Sequence, residues 1–473
     1  MDTHGYIENT PVYDKFWTFS NPHYQRYIAL SQGYVPTMHE DFVYIELGCG
    51  NALALCINAA ANPKAKFIGI DFMPEYVALA QKNVERMGLT NVEIIEADIT
   101  APLGESRQRI AAIPEADFVF AHGFIAWVSP EVQTAAYEFI GTNLRPGGIA
   151  FTSYDSLPGS KHREVIHHLA LSYKDTIPDA TDRVQAAFTF VNFLYQNKSA
   201  FTGQNESVVK DLIGAVGQPE AAAHLFGNES YSPLWFADVS KEMNIQGLFY
   251  CGSTTAANNN PSLVLPEAAL KALTFPDIET LEFVKDMFSN MEFRSDLYIR
   301  PIQTEKVAGE ILTDMKFTLA APRELAVTSN DVRVGKVSLQ EDLANAALDS
   351  LVDGETLGNL NAEIFHNLVA ISLAIAPQVD TTLDGFDNRA FIDFQLENYK
   401  SGHIAVVSSV LGSGAILPVE SVLLYVCGSH GAAQKWLDAH RHVPIEKDKL
   451  AAAVKMRDAY KTLIEKLVPE LKG

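Results

Sequence analysis

Acidic residues and glycines lie at the ends of two predicted strands early in the chain. Glu46 lies near the end of an apolar run from Phe42 to Leu47, Gly48 and Gly50 follow directly, and Asp71 ends the next apolar run. Glycines in a strand-to-helix turn allow a ligand to lie against the backbone. A carboxylate at the tip of the second strand can accept hydrogen bonds from both hydroxyls of a ribose. The pattern therefore predicts a nucleoside ligand.

The charge of this turn bears on which nucleoside it holds. A dinucleotide-binding fingerprint requires a third glycine, and Leu53 stands at that position. Glu46 is an unfavourable neighbour for a phosphate and a favourable one for a positively charged ligand. The alternative is an ordinary βαβ turn that contains two glycines by chance.

Five predicted strands and the helices between them position these residues. The strands cover residues 42–47, 66–70, 92–97, 117–121 and 149–153, and the alternation predicts an α/β, Rossmann-like doubly wound sheet. Ligands bind at the carboxyl ends of such strands. Asp98 and the loop that begins at His122 should therefore face the ligand. Asp98 could instead cap the following loop, and His122 could be a base, a positioning group or a structural hydrogen-bonding residue.

Several of these motifs match one enzyme class. Glu46-Leu-Gly48-Cys-Gly50, followed by Gly69-Ile-Asp71, resembles the first two motifs of class I S-adenosylmethionine-dependent methyltransferases, although the usual third glycine is Ala52 here. Glu96-Ala-Asp98-Ile99 and Leu144-Arg-Pro-Gly-Gly148 are similar to later features of the class. The resemblance implies S-adenosyl-L-methionine as the cofactor and S-adenosyl-L-homocysteine as the product. It implies cofactor contacts from Glu46, Gly48, Cys49, Gly50, Asp71, Phe72, Asp98, Ile99 and His122.

Later stretches are more specific. Tyr154-Asp-Ser-Leu-Pro-Gly159, the segments around His224 and Pro233 to Asp238, and Glu282-Phe-Val with Phe293-Arg294 resemble the methyltransferase regulatory domain. This domain follows a class I catalytic domain in a bacterial group that includes lysine methyltransferases of outer-membrane proteins. The resemblance covers about Tyr6 to Arg300 and implies transfer to lysine side chains of a protein.

A chain of 473 residues is too long for one hydrophobic core. We expect an aromatic-rich N-terminal lid or cap at residues 1–38 and a class I methyltransferase catalytic domain at residues 39–160. A mainly helical, methyltransferase-regulatory-like domain at 161–320 and a small α/β, winged-helix-like domain at 321–473 should follow. The last domain could serve packing and dimerisation or recognise a protein substrate.

Composition limits the partners. The 36 basic and 58 acidic residues give a net charge of −22, which disfavours nucleic acid and favours a basic partner. The four cysteines show no CxxC pair, and the histidine clusters lack ligand context, so we expect no metal site. We find no signal peptide and no apolar span long enough for a membrane helix, which predicts a cytoplasmic protein that does not bind membranes.

The resemblance implies methyl transfer by direct displacement at a sulfonium, with Tyr13, His122, Trp127 and Tyr154 as candidates near the acceptor. An aromatic lid would exclude water and attract cations, and Tyr13 is the first choice for that role. The acceptor could be a protein or a small molecule, so a natural-product or metabolite methyltransferase is the alternative. A non-catalytic cofactor-binding scaffold is a further one. A homodimer is compatible with the sequence.

Overall fold

The computed structural model describes residues 4–7, 15–205, 207–211, 219–332, 335–371, 375–383, 385–397, 402–440, 443 and 445–471. Its centre is a seven-stranded sheet. Five parallel strands form one side of this sheet, in the spatial order β3-β2-β1-β4-β5. They are β1 (Val43–Leu47), β2 (Lys66–Asp71), β3 (Val92–Glu96), β4 (Ala116–Ala121) and β5 (Leu144–Asp155). The predicted Rossmann-like fold is confirmed.

One helix precedes these strands, and others connect them. They are α1 (Pro22–Ser31), α2 (Leu53–Ala60), α3 (Pro74–Arg86), α4 (Glu105–Ala111) and α5 (Pro130–Asn143). Local sequence explains two of the starts, because Asn21 before α1 and Ser129 before α5 cap backbone N–H groups and a proline follows each cap. Apolar side chains from both faces form two core clusters.

Two further strands complete the sheet. Their residues were expected to belong to the mainly helical domain. β7 (Phe293–Ile299) pairs antiparallel with β5, and β6 (Phe249–Ser253) pairs antiparallel with β7. The sheet therefore crosses the predicted boundary at residue 160. The apolar pattern did not indicate β7, because the strand carries the buried charges of Arg294 and Asp296.

The chain between β5 and β7 is mainly helical apart from β6. Its helices are α6 (Lys161–Ser172), α7 (Ala180–Gln196), α8 (Ala200–Gln204), α9 (Pro219–Phe226), α10 (Phe236–Ile245), α11 (Glu267–Ala272) and α12 (Ile278–Ser289). Helices α6, α7 and α9 share a separate small core that includes Ile166, Val184, Phe188 and Phe226.

The C-terminal part is built from small sheets and helices. Its strands are β8 (Lys316–Leu319), β9 (Ser329–Val332), β10 (Gly335–Ser338), β11 (Glu355–Thr356), β12 (Ile375–Gln378), β13 (His403–Ser408) and β14 (Ser413–Pro418). Its helices are α13 (Ala308–Asp314), α14 (Glu341–Ser350), α15 (Ala362–Ile371), α16 (Asn388–Glu397), α17 (Val419–Cys427), α18 (His430–Ala439), α19 (Lys447–Ala453) and α20 (Arg457–Leu467). The winged-helix-like character of this part stays a prediction.

This C-terminal part packs against helices α1 and α2 of the central sheet. Phe317 and Phe365 contact Tyr27 of α1. Ala405 and Val407 of β13 share a core cluster with Ile57 of α2, the helix that follows the glycine turn. No helix in the described ranges has the length and apolar character needed to cross a membrane.

Candidate active site

The turn between β1 and α2 is shaped by three residues with positive φ. Gly48 and Gly50 have φ of 71° and 53°, and Ala52 has φ of 58°. A Cβ atom at Gly48 would lie 2.7 Å from the Phe124 ring, so only glycine allows the turn to close against the loop after β4. Ala52 adopts the left-handed conformation, which glycine tolerates more easily than alanine. The turn therefore closes without the usual third glycine.

Asp71 connects the tips of β1 and β2. The backbone N–H of Gly50 donates a hydrogen bond to Asp71 Oδ2 at 2.9 Å, and that of Met73 donates to Oδ1 at 3.0 Å. Burial raises the pKa of Asp71, and these backbone N–H groups oppose the shift. The carboxylate lines the cavity described below, where its remaining lone pairs can accept ribose hydroxyls.

Glu46 is buried beneath the same turn. Burial, with a smaller contribution from the neighbouring Asp71, raises the pKa of Glu46 to about 8. Two buried acids at one site favour a cationic ligand, because a positive charge stabilises both ionised forms. A cofactor with a sulfonium and an ammonium group fits this pair of carboxyl groups.

The N-terminal segment 4–7 lies against the tips of β2 and β3. His4 Nε2 is 3.1 Å from Asp98 Oδ2, and the Tyr6 ring meets the Phe72 ring edge-on at 6.1 Å. Hydrogen bonds also join the segment to the helical part of the chain, because Glu229 N–H donates to the Gly5 carbonyl at 2.7 Å. The segment therefore bridges the sheet and the helical part beside Asp98, one of the predicted cofactor residues.

His122 follows β4 on the other side of the glycine turn. Its Nδ1 is 2.7 Å from Ser153 Oγ, and the Gly123 backbone N–H donates to the same oxygen at 2.8 Å. Ring centroids of Trp17 and Phe19 lie 5.2 and 5.0 Å from the imidazole. Burial lowers the pKa of His122 to about 4, and nearby Lys15 contributes. The imidazole is therefore uncharged at neutral pH.

One cavity of about 1460 Å³ joins these groups. Pockets for single small ligands usually measure about 300–1000 Å³, so this cavity has room for a cofactor and part of a second molecule. The helical part lines it with Arg163 and Asp211. Arg163 Nη1 lies 2.9 Å from Asp155 Oδ1, and Arg163 Nε lies 3.0 Å from Asp211 Oδ2. This ion-pair network anchors the helical part to the end of β5.

Family comparisons agree with this geometry. Residues 38–187 match the family described as "Methyltransferase domain", and residues 219–300 match the "Predicted methyltransferase regulatory domain". The chain carries an S-adenosylmethionine-dependent methyltransferase domain. A methyltransferase regulatory domain follows it, as the motifs predicted.

Individual proteins show how far the similarity extends. An uncharacterized protein from Synechocystis is 26% identical over 69% of this chain and 65% of its own length. One from Rickettsia prowazekii is 26% identical over 62% of this chain and 52% of its own length. The matches thus span less than two thirds of both relatives. PKMT2 from Rickettsia typhi shares the fold, with a TM-score of 0.68, 17% identity and coverage of 96% of this chain and 99% of that chain. PKMT2 has also been solved in complex with AdoHcy.

The methyltransferase cavity brings the predicted cofactor residues together. All nine line it: Glu46, Gly48, Cys49, Gly50, Asp71, Phe72, Asp98, Ile99 and His122. The Cys49 sulfur packs toward the sheet, since a Cβ atom at Gly69 would lie 2.9 Å from it. Burial raises the thiol pKa well above its usual range, as expected for a packing residue rather than a nucleophile. The contact of each residue with the cofactor stays a prediction.

The four acceptor-side candidates differ in whether they line the cavity. His122 and Trp127 line the cavity, and Trp127 stacks on Tyr231 with centroids 4.5 Å apart. The expected position of Tyr154 is corrected, because its side chain is fully buried away from the cavity. Its hydroxyl donates to Asp296 Oδ2 at 2.9 Å. Side chains alternate along β5, so its neighbour Asp155 lines the cavity instead. Tyr13 lies outside the described residues.

Sequence reasoning missed several cavity residues. Trp17, Phe19 and Asp155 line the site but were not selected, and Ser153 supports it from behind. Trp17 and Phe19 belong to the aromatic run that predicted a lid. The sequence therefore indicated aromatic residues over the site, but not which of them line the cavity. Asp155 was quoted only as part of a motif, because the sequence does not show which residue of a strand faces the ligand.

Proposed function

We propose that the protein transfers methyl groups from S-adenosylmethionine to lysine side chains of a protein substrate. The observation that carries the proposal is an aromatic wall, formed by Trp17 and Phe19 against the uncharged His122, beside the glycine turn. Aromatic faces attract ammonium groups through their quadrupole, and they also pack against the apolar stem of a lysine. This wall suits an extended amine better than a hydroxyl or carboxylate acceptor.

The residues of the chain would bind, orient and desolvate the reactants. The cofactor supplies an activated methyl group on a sulfonium. Glu46 and Asp71 would hold it by charge and hydrogen bonding, while the loop at His122 and Gly123 orients the acceptor for in-line displacement. The acceptor amine must be neutral to attack, and desolvation inside the cavity favours that form because burial disfavours the charged ammonium. With a pKa of about 4, His122 is too weak a base to hold that proton at neutral pH, so the amine loses it to water.

Wider features support a protein acceptor. The fold shared with PKMT2, a protein lysine methyltransferase, extends over the helical and C-terminal parts as well as the methyltransferase domain. The net charge of −22 favours association with a basic, lysine-bearing partner. A cytoplasmic location and a homodimer are further parts of this proposal, and both derive from the sequence.

A methyl-transfer assay tests the proposal. The full chain is incubated with methyl-labelled S-adenosylmethionine and a lysate, which is then separated into protein and small-molecule fractions. Label recovered from protein as methyl-lysine supports the proposal, whereas label only in small molecules contradicts it and favours a metabolite methyltransferase. Bound cofactor without turnover on any acceptor would indicate a scaffold.

Variants of the aromatic wall sharpen the assay. Trp17→Ala should lower kcat/KM for the lysine acceptor about 5- to 30-fold, which corresponds to the loss of a cation–π contact of about 1–2 kcal/mol. Trp17→Phe should retain most of the activity because it keeps an aromatic face. Phe193→Ala is the matched control, since this ring is 59% exposed on α7. Equal kcat/KM for wild type and Trp17→Ala would show that the aromatic wall is not part of the acceptor site.

A further inference from the structure

The chain places one of its own lysines on the aromatic wall. Lys15 lines the cavity, and its Nζ lies 3.9 Å from the centroid of the Trp17 ring. Trp17 in turn meets the His122 ring at 5.2 Å. Partial burial lowers the pKa of Lys15, which increases its neutral, nucleophilic fraction. Lys15 thus has the position and the chemistry proposed above for an acceptor lysine.

Strand register places this wall next to the cofactor turn. Glu46 on β1 pairs with Phe120 on β4, so Gly48 and His122 both lie two residues beyond that pair at the same end of the sheet. The closeness of Gly48 to the Phe124 ring confirms that the turn and the loop touch. The glycine turn and the aromatic wall with Lys15 therefore line neighbouring parts of the same cavity.

Other lysines in the described ranges differ from Lys15. Several pair with carboxylates on the surface: Lys64, Lys66, Lys174 and Lys271. Lys210 also lines the cavity, but it lies beside Asp211 in the helical part of the chain, where Asp211 pairs with His162 and Arg163. No carboxylate among the described residues forms an ion pair with Lys15. Its ammonium lies over the face of the Trp17 ring.

We propose that Lys15 is a self-methylation site, modified by the methyltransferase domain of its own chain. The inference rests on the proposed function, because it requires transfer to a lysine amine. The lone pair of neutral Lys15 Nζ forms the new C–N bond while the S–CH₃ bond of S-adenosylmethionine breaks. S-adenosylhomocysteine leaves, and the proton lost by the nitrogen goes to water. A methylated ammonium remains favourable on Trp17, since aromatic faces bind such cations.

Peptide mass spectrometry of the purified full chain tests this inference. The protein is analysed as purified and again after incubation with S-adenosylmethionine that carries a deuterated methyl group. We expect added methyl groups on the peptide that contains Lys15, or unlabelled methyl groups acquired there during expression. The fraction modified per unit time should not change on dilution, because the reaction is intramolecular.

Three variants serve as controls. Lys15→Arg keeps the cation on Trp17 and should lose the label, whereas Lys271→Arg on α11 should keep it. Lys210→Arg should also keep it, and loss of label in that variant alone would overturn the inference. So would modification of other lysines with Lys15 unmodified.

The test separates this inference from the proposed function. Methylation of lysines in an added acceptor protein, with Lys15 unmodified in the same preparation, overturns the inference and leaves the proposed function intact. Cofactor binding without methylation of either Lys15 or the added acceptor protein contradicts both the inference and the proposed function.

Discussion

The hydroxyl oxygen of Ser153 lies 2.7 Å from Nδ1 of His122. The two residues are at the ends of neighbouring parallel strands, and the same oxygen accepts a hydrogen bond from Gly123 N–H at 2.8 Å. Ser153 is fully buried, and both residues that it contacts line the cavity. A single hydroxyl on β5 therefore positions the loop that carries His122.

Replacing Ser153 with alanine should destabilise the protein and slow methyl transfer. The Gly123 N–H and the His122 ring would both lose their hydrogen-bond partner, which costs about 0.5–1.5 kcal/mol of unfolding free energy. Chemical denaturation measures this cost, and steady-state kinetics measures the effect of the freed imidazole on kcat.

Thr152→Val is the matched control on the same strand. The Thr152 hydroxyl is buried on the opposite face without a hydrogen-bond partner among the described residues. Valine has nearly the same shape and removes the cost of burying that hydroxyl. Thr152→Val should therefore leave kcat unchanged and raise stability by about 1 kcal/mol. A Ser153→Ala variant that behaves like Thr152→Val would show that the hydroxyl does not hold the loop.

Replacing Asp71 with alanine should weaken the binding of S-adenosylmethionine by about 1–3 kcal/mol, because hydrogen bonds from the ribose hydroxyls are lost. Isothermal titration calorimetry measures the affinity. Glu96→Ala is the control, since Glu96 pairs with Asp71 in the strand register but does not line the cavity. An unchanged affinity for the Asp71 variant would refute its assignment to the ribose.

The buried Glu46 should make cofactor affinity depend on pH. Its pKa is about 8 in the free protein, so the carboxyl group is largely protonated at pH 7. A cationic cofactor favours the ionised form and lowers this pKa. Binding should therefore release protons below pH 8, and affinity should rise with pH until about 8. Calorimetry in two buffers of different ionisation enthalpy counts the protons released.

The same group has the opposite effect on the stability of the free protein. A carboxyl group with a folded pKa of about 8 and an ordinary value of 4.5 stabilises the fold fully below pH 4.5 and loses that contribution as pH rises through 8. Glu46→Gln should flatten this part of the stability profile. The Glu46→Gln variant is also the control for the calorimetry, because the amino group of the cofactor titrates near pH 8 and can release protons itself. Identical proton release by the wild type and by Glu46→Gln would show that Glu46 is not the source of the protons.

The sequence predicted the parallel half of the sheet well because each strand there is a short apolar run followed by a turn signal. Glu46, Asp71 and Asp98 were placed correctly at strand ends for the same reason. The antiparallel half was not predicted as part of the sheet. In β7, Arg294 and Asp296 satisfy each other inside the protein, and such pairing between buried charges is invisible to a hydrophobic pattern.

The acceptor side was harder to predict than the cofactor side. Cofactor residues come from the ends of consecutive strands, so chain order indicates their proximity. Trp17 and Asp155 reach the cavity from distant parts of the chain, and their contacts depend on tertiary packing. The choice of Tyr154 over Asp155 shows the limit clearly, since a shift of one residue on a strand exchanges the two faces of the sheet.

Arg294 should be among the most sensitive positions outside the cavity. Its guanidinium lies 2.6–2.9 Å from carboxylate oxygens of Glu282, Asp286 and Asp296, and all four side chains are buried. Burial raises the pKa of Asp286 to about 7, against the opposing effect of Arg294. Arg294→Ala would leave three acids without their shared cation and should cost about 3–5 kcal/mol of unfolding free energy.

Chemical denaturation of the Arg294 variant should show this loss, and it should be smaller at pH 5 than at pH 8. Without the guanidinium, the pKa values of Asp286 and Asp296 rise further, so at pH 5 these acids can become neutral by protonation. Arg323→Ala removes a guanidinium whose partner Asp349 is largely exposed, and it should cost less than about 1 kcal/mol at either pH. Equal losses for both arginines would mean that the buried cluster does not secure β7 to α12.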